Sequence, residues 1–267
     1  MALEITLRHD AEEIIKNFIQ HHFRVSGATN VVIGLSGGLD STVVAKLCVD
    51  AIGNKNVIGI YLPDDLYNDK DANEIEAIAK FLNIKVITYD ITTIVNQFFN
   101  ELNVKSTVAK GNIKARTRMI YLYAIANEGN RLVIGTSNKS ELLMGYFTKF
   151  GDGASDFGPI GDLYKTQVKL LAKRINIPEY IINKIPTAKL WENQTDEGEL
   201  GLSYEILDRI LLGIEMQYSI EKIAKILNTK QSLVQRIVVT VDKNVHKRKM
   251  PLIPKLGIRT LGLDWRE

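Results

Sequence analysis

Cysteine is almost absent from this chain: Cys48 is the single thiol in 267 residues. That excludes an internal disulfide framework and any metal cluster built from cysteines. No apolar run approaches the ~18–20 residues needed to span a bilayer. The opening MALEITLRHDAEEIIKNF also lacks a signal-peptide core, so a soluble, globular, cytoplasmic protein is expected. A strong charge bias is missing too. Lysine and arginine number 34 against 31 aspartates and glutamates, a formal surplus of +3. So small an excess does not by itself imply nucleic acid, although it suits a small anionic substrate. There is no internal repeat, low-complexity segment or linker of domain-separating length, and one domain over 1–267 is expected.

What is present is an alternation of apolar patterns. A helix is predicted from about His9 to Arg24, with Ile14, Ile15, Phe18, Ile19 and His22 at helical spacing. Short β-branched runs at Val31–Leu35, Val57–Leu62, Lys85–Tyr89 and Leu132–Gly135 read as strands. Helices are predicted between them at 40–52, 71–81, 91–102 and 113–127. Beyond residue 160 the pattern is helical, at 163–176, 179–183, 204–216, 220–227 and 233–244. Strands alternating with helices predict an α/β fold: an open parallel sheet with helices on both faces, and a helical C-terminal third. The nucleotide-binding core would span about 25–165 and the helical part about 166–267.

Between the first strand and its helix lies Gly34-Leu35-Ser36-Gly37-Gly38-Leu39-Asp40-Ser41-Thr42. Open parallel sheets bind ligands where strands end and helices begin. Adjacent glycines allow close backbone approach, and free N–H groups at a helix start attract anions. The loop reads as a phosphate cradle. No Gly-Lys-[Ser/Thr] closes it, so it is not a Walker A loop. It carries Asp40 instead, and a carboxylate beside phosphates is repulsive unless a cation intervenes; Mg2+ shared between Asp40 and phosphate oxygens resolves this. The other reading of Asp40 is a helix cap on a tight turn. After the fourth strand, Gly135–Lys165 is dense in polar groups. Glu141 there reads either as a second magnesium ligand or as an ordinary helix-start glutamate.

Ser-Gly-Gly-x-Asp-Ser resembles the signature of ATP pyrophosphatases of the PP-loop type, which implies an adenine nucleotide alpha hydrolase-like fold. The segment from Thr136 to Asp156 is similar to that of NAD synthetases. So are Arg116-Thr117-Arg118-Met119, Leu163-Tyr164-Lys165-Thr166, Ile185-Pro186-Thr187-Ala188 and His246-Lys247-Arg248. The stretch Leu190–Ser203, with Gln194–Glu199 inside it, resembles the archaeal form of that family. By position, the resemblance implies that Gly34, Leu35, Ser36, Gly37, Gly38, Leu39, Asp40 and Ser41 hold ATP phosphates, with Thr136, Lys165 and Thr187 also on ATP. It implies Mg2+ on Asp40 and Glu141. It assigns Arg116, Lys149, Asp156, His246 and Lys247 to nicotinic acid adenine dinucleotide (deamido-NAD).

The implied chemistry is attack of the nicotinate carboxylate on the α-phosphorus of ATP, then displacement of AMP by ammonia. Asp40 and Lys165 would act at the phosphates, and Asp156 or Asp152 would accept the ammonium proton. Cys48 sits mid-helix between Leu47 and Val49, so no amidotransferase nucleophile is evident. Free ammonia is the expected donor unless a separate glutaminase subunit delivers it. NAD synthetases are typically homodimers, so a homodimer is expected, with the His9–Arg24 helix either at its interface or packed on its own sheet. The competing readings are another PP-loop adenylating enzyme such as a tRNA-modifying ligase, a non-catalytic nucleotide-binding protein, and a DNA-binding helix-turn-helix at 219–237. No nucleic-acid or membrane partner is expected.

Overall fold

The computed structural model describes residues 3–260; residues 1–2 and 261–267 of the expected 1–267 domain lie outside them. The chain begins with α1 (Ala11–Ser26) and β1 (Asn30–Gly34), followed by α2 (Leu39–Ile52), β2 (Val57–Tyr61), α3 (Asp69–Leu82) and β3 (Lys85–Thr88). Next come α4 (Thr92–Glu101), α5 (Thr107–Glu128) and β4 (Arg131–Ile134). Helices and loops follow: α6 (Lys139–Met144), α7 (Lys165–Arg174), α8 (Glu179–Ile182), α9 (Asp196–Leu200), α10 (Tyr204–Glu215), α11 (Ile220–Leu227) and α12 (Gln231–Lys243).

The strands form one parallel sheet in the order β3-β2-β1-β4. Val31 stands opposite Val57 on one side and Leu132 on the other. Because side chains alternate across a strand, β1 feeds both faces. Val31 and Ile33 enter a core shared with α1, α2, α3, α7 and α8, while Val32 enters a second core with Ile60, Val95, Ala126 and Val133. Helices therefore cover both faces, and β1 is apolar throughout for that reason.

Cys48 is fully buried among these residues, and burial pushes its thiol pKa up. The α1 stripe divides: Ile15 and Ile19 are buried, whereas Ile14 and Phe18 remain exposed. A third core gathers Leu207, Leu211, Ile223, Val234 and Ile237, so α11 and α12 turn their apolar faces onto α10. Among the described residues no helix is long and apolar enough to cross a membrane.

The sequence pattern predicts neither α6 nor α9, each under two turns and too short to show a period. Local capping accounts for both. Asn138 and Glu141 form a reciprocal capping box at the start of α6, and the Thr195 hydroxyl accepts the Gly198 N–H in α9.

Candidate active site

Strand order places the site. From β1 the sheet grows to β2 and β3 on one side and to β4 on the other. The carboxyl ends of β1 and β4 therefore flank the crevice where such sheets bind ligands. A cavity of about 840 Å³ lies there.

Every residue of the loop Gly34–Ser41 except Gly37 lines this cavity, as do Thr136, Glu141, Lys165 and Thr187. Gly37 has φ 73°, the left-handed region that a side chain disfavours, and it turns the chain from strand to helix. Behind it, the Thr42 hydroxyl donates to the Gly38 carbonyl at 2.8 Å. The N-cap of α2 is Gly38, without a side-chain cap, so Asp40 in the first turn is not the helix cap. Its carboxylate is turned to another partner.

That partner is Lys165, the first residue of α7. Its Nζ donates to Asp40 Oδ2 and lies 3.5 Å from Glu141 Oε1. Asn138 joins the two carboxylates: its Nδ2 donates to Asp40 Oδ1 at 3.4 Å, and its Oδ1 accepts the Glu141 N–H at 3.0 Å. Glu141 stands in the first turn of α6 and also lines the cavity. All three charged side chains are largely shielded, with 4% of Lys165, 16% of Asp40 and 15% of Glu141 exposed. Burial, reinforced by Asp40, pushes the Glu141 carboxyl up to about 8. Burial pulls the Lys165 ammonium down, but Asp40 and Glu141 outweigh it and hold its pKa above the usual range. With both carboxylates ionised the cluster would be short of positive charge by one unit, which together with burial is why Glu141 resists ionisation. Among the described residues no group of three or more His, Cys, Asp or Glu is arranged to hold a metal. A cation on Asp40 and Glu141 therefore needs further oxygens from a bound ligand, which is the donor set a hard ion shares with phosphates.

A third carboxylate, fully buried, fixes this cluster from behind. Asp208 of α10 accepts the Ser140 hydroxyl at 2.5 Å, and its Oδ2 accepts both the Thr166 N–H and the Thr166 hydroxyl at 2.8 Å. Ser140 Oγ in turn accepts the Lys165 N–H at 3.0 Å. The residues flanking Glu141 and Lys165 are thereby tied to one point.

The far wall is the segment after α8. Lys184 donates to Glu74 at 2.5 Å and to the Gly37 carbonyl at 3.1 Å, and Lys189 donates to Asp71 at 2.5 Å. The strap runs on past Lys189 and lies on α5 at Gly111, where a Cβ would stand 3.0 Å from Trp191 and 3.2 Å from Leu190.

The remaining anticipated residues do not all gather here. Lys247 lines the cavity and donates to the Gly145 and Phe147 carbonyls at 2.6 and 2.9 Å. Arg116 and Lys149 are beside each other but off the lining, with the Arg116 guanidinium on the Lys149 carbonyl at 3.2 Å. His246 is exposed and off the lining. Asp156 also lies off it and is engaged with the sheet, its Oδ2 accepting the Val133 N–H at 2.6 Å. Arg118, anchored to Asp64 at 2.8 Å, lines the cavity although the motif reading favoured Arg116.

A family model described as NAD synthase matches residues 12–251. An NH(3)-dependent NAD(+) synthetase of Pyrococcus horikoshii is 46% identical over 255 residues, 95% of this chain and 98% of that protein. The solved NH3-dependent NAD synthetase of Campylobacter jejuni superposes with TM-score 0.79 at 34% identity, covering 92% of this chain and 98% of that one. The solved NMN synthetase of Francisella tularensis gives TM-score 0.81 at 36% identity, with the same coverage.

Proposed function

The chain belongs to the NAD synthase family, and from that premise we propose its reaction and the part each side chain takes in it. It is an ATP-dependent ligase that converts deamido-NAD to NAD with ammonia as nitrogen donor. The observation that carries the site reading is the Lys165 ammonium held between Asp40 and Glu141 at the ends of β1 and β4. It sets a fixed positive charge beside the phosphate loop, between the two carboxylates that would share a divalent ion with the phosphates.

The residues divide the work as follows. The loop Gly34–Ser41 receives the triphosphate on backbone N–H groups and hydroxyls. Thr136 and Thr187, on opposite walls, orient it. Lys165 neutralises charge on the phosphates while the nicotinate carboxylate attacks the α-phosphorus. Magnesium, held by Asp40 and Glu141, would add charge neutralisation at the phosphate oxygens. Lys247 is assigned to the anionic dinucleotide at the cavity, with Arg116, Lys149 and His246 beyond its rim. No side chain needs to form a covalent bond; positioning and charge supply the catalysis.

We further assign the chain to a homodimer formed through the outer face of α1. Exposed Ile14 and Phe18 support this. Light scattering on the purified protein tests it.

The reaction is tested with purified protein, ATP, deamido-NAD, magnesium and ammonium. NAD, AMP and pyrophosphate are expected in equal amounts. Release of ADP and phosphate refutes the adenylation route, and a requirement for the mononucleotide acid in place of deamido-NAD refutes the substrate.

A further inference from the structure

The reaction leaves one substrate without a partner in the cavity. Ammonia is present at neutral pH almost entirely as ammonium, which has to be recognised as a cation and deprotonated before it can attack. Resting on the reaction above, we propose that Asp196 is the ammonium-binding residue, holding the ion at carboxylate oxygen Oδ1 and taking a proton from it.

The carboxylates near the cavity differ in what already holds them. Asp40 and Glu141 face Lys165, and Asp71 is paired with Lys189. Asp152 Oδ1 accepts the Thr148 N–H at 2.9 Å and feels the Lys247 ammonium. Glu199 accepts from the Tyr146 hydroxyl and from Gln194 Nε2. Asp156, anticipated together with Asp152 as the acceptor, lies off the lining and is engaged by β4.

Asp196 is different. It lines the cavity yet is only 4% exposed, and its Oδ1 is a buried oxygen with no hydrogen-bond partner among the described residues. Its other oxygen accepts the Tyr204 hydroxyl at 3.1 Å, which fixes the plane of the carboxylate. A buried acceptor left open costs stability unless a ligand completes it. The charged and titratable groups around it are the Lys165 ammonium, the Tyr204 and Tyr146 hydroxyls, Asp40 and Glu141. Lys165 is already shared by two other carboxylates, and the hydrogen of Tyr146 is directed at Glu199. The missing partner is therefore a small cationic donor. Of the substrates, only ammonium has that chemistry. Burial also pushes the Asp196 carboxyl up, which favours proton acceptance.

The step balances. One N–H bond of ammonium breaks and its proton passes to Oδ1, leaving the electron pair on nitrogen. That pair forms the C–N bond at the acyl carbon of the adenylate. The C–O bond to AMP then breaks, AMP leaves with the electron pair, and the surplus proton on nitrogen goes to water.

The test is Asp196→Asn in the full chain, with the two half-reactions read separately. Pyrophosphate release from ATP and deamido-NAD without ammonium reports the reaction itself, and its absence in the unaltered protein refutes the proposed function rather than this inference. In the variant, that release is expected to stay within about threefold of the unaltered rate. The KM for ammonium is expected to rise about ten- to a hundredfold, the loss of one charge-assisted hydrogen bond. Hydroxylamine, uncharged at neutral pH, is expected to serve variant and unaltered protein alike. Should Asp196→Asn fail to fold, Tyr204→Phe is expected to raise the ammonium KM in the same selective way, by a smaller factor. An unchanged ammonium dependence overturns the proposal. So does a parallel fall of both half-reactions, because Asp196 would then serve the nucleotide.

Discussion

Replacing Asp208 with alanine tests whether the active-site cluster depends on its buried support. The carboxylate has no exposed surface and accepts from Ser140 Oγ, Thr166 N and Thr166 Oγ1. Alanine leaves three buried donors without an acceptor. Hydrogen bonds to a charged group contribute about 1.5–3 kcal/mol each. They are not additive here, because the two hydroxyls can rotate to other acceptors and burying the ion carries its own cost. About 3–5 kcal/mol is therefore expected, in line with other broken buried charge networks. For a chain of this size that lowers the melting temperature by on the order of 10 °C. Burial holds the Asp208 pKa above the ordinary carboxylate range. Its contribution is thus fullest below that range and falls as pH rises through the folded pKa, so the melting gap should narrow from acid to neutral pH. Activity should suffer as well, since Glu141 and Lys165 lose their common anchor; a displacement of about 1 Å can cost ~100-fold in rate. Melting curves followed by circular dichroism, with kcat measured on the folded variant, supply both numbers. A variant that melts within about 2 °C of the parent and turns over normally refutes the reasoning.

Asp40→Asn removes one of the two carboxylates on Lys165 and should lower turnover by about 100- to 1,000-fold, with the magnesium midpoint moved upward; unimpaired turnover at limiting magnesium would contradict this. Lys184→Ala combined with Lys189→Ala should free the strap. Hydrogen exchange over 185–195 should accelerate and the KM for ATP should rise. The melting temperature should scarcely change, because these partly exposed ion pairs contribute about 0–1 kcal/mol each. Unaltered exchange would mean that the strap is held by its apolar contacts alone.

The parts of the molecule legible in the sequence are those with a period or a motif. β1 through β4 and the long helices follow from apolar spacing, and the motif Ser36–Ser41 marks the loop that lines the cavity. The short α6 and α9 were hidden because their causes are single caps rather than a pattern. Asp208 does carry a signal in the sequence: an acid on the same helical face as Tyr204 and Leu211, where an apolar residue is expected. Asp196 left none, since its significance is the absence of a partner and partners come from the fold. The cations assigned together by resemblance separate in space, with Lys247 at the cavity and Arg116, Lys149 and His246 outside it. Motif position places a residue near a site; it does not settle which way the residue faces.

The contact at Gly111 sets two aims against each other. In an isolated helix of this length, alanine at that position would improve helix formation by about 1 kcal/mol, and substitutions of that kind are a common route to heat-resistant variants. Here the added methyl would meet the indole of Trp191 and the side chain of Leu190. That clash would push Leu190 and Trp191, and with them one wall of the cavity, off α5, so engineering for endurance at this residue would work against the closed form of the cavity.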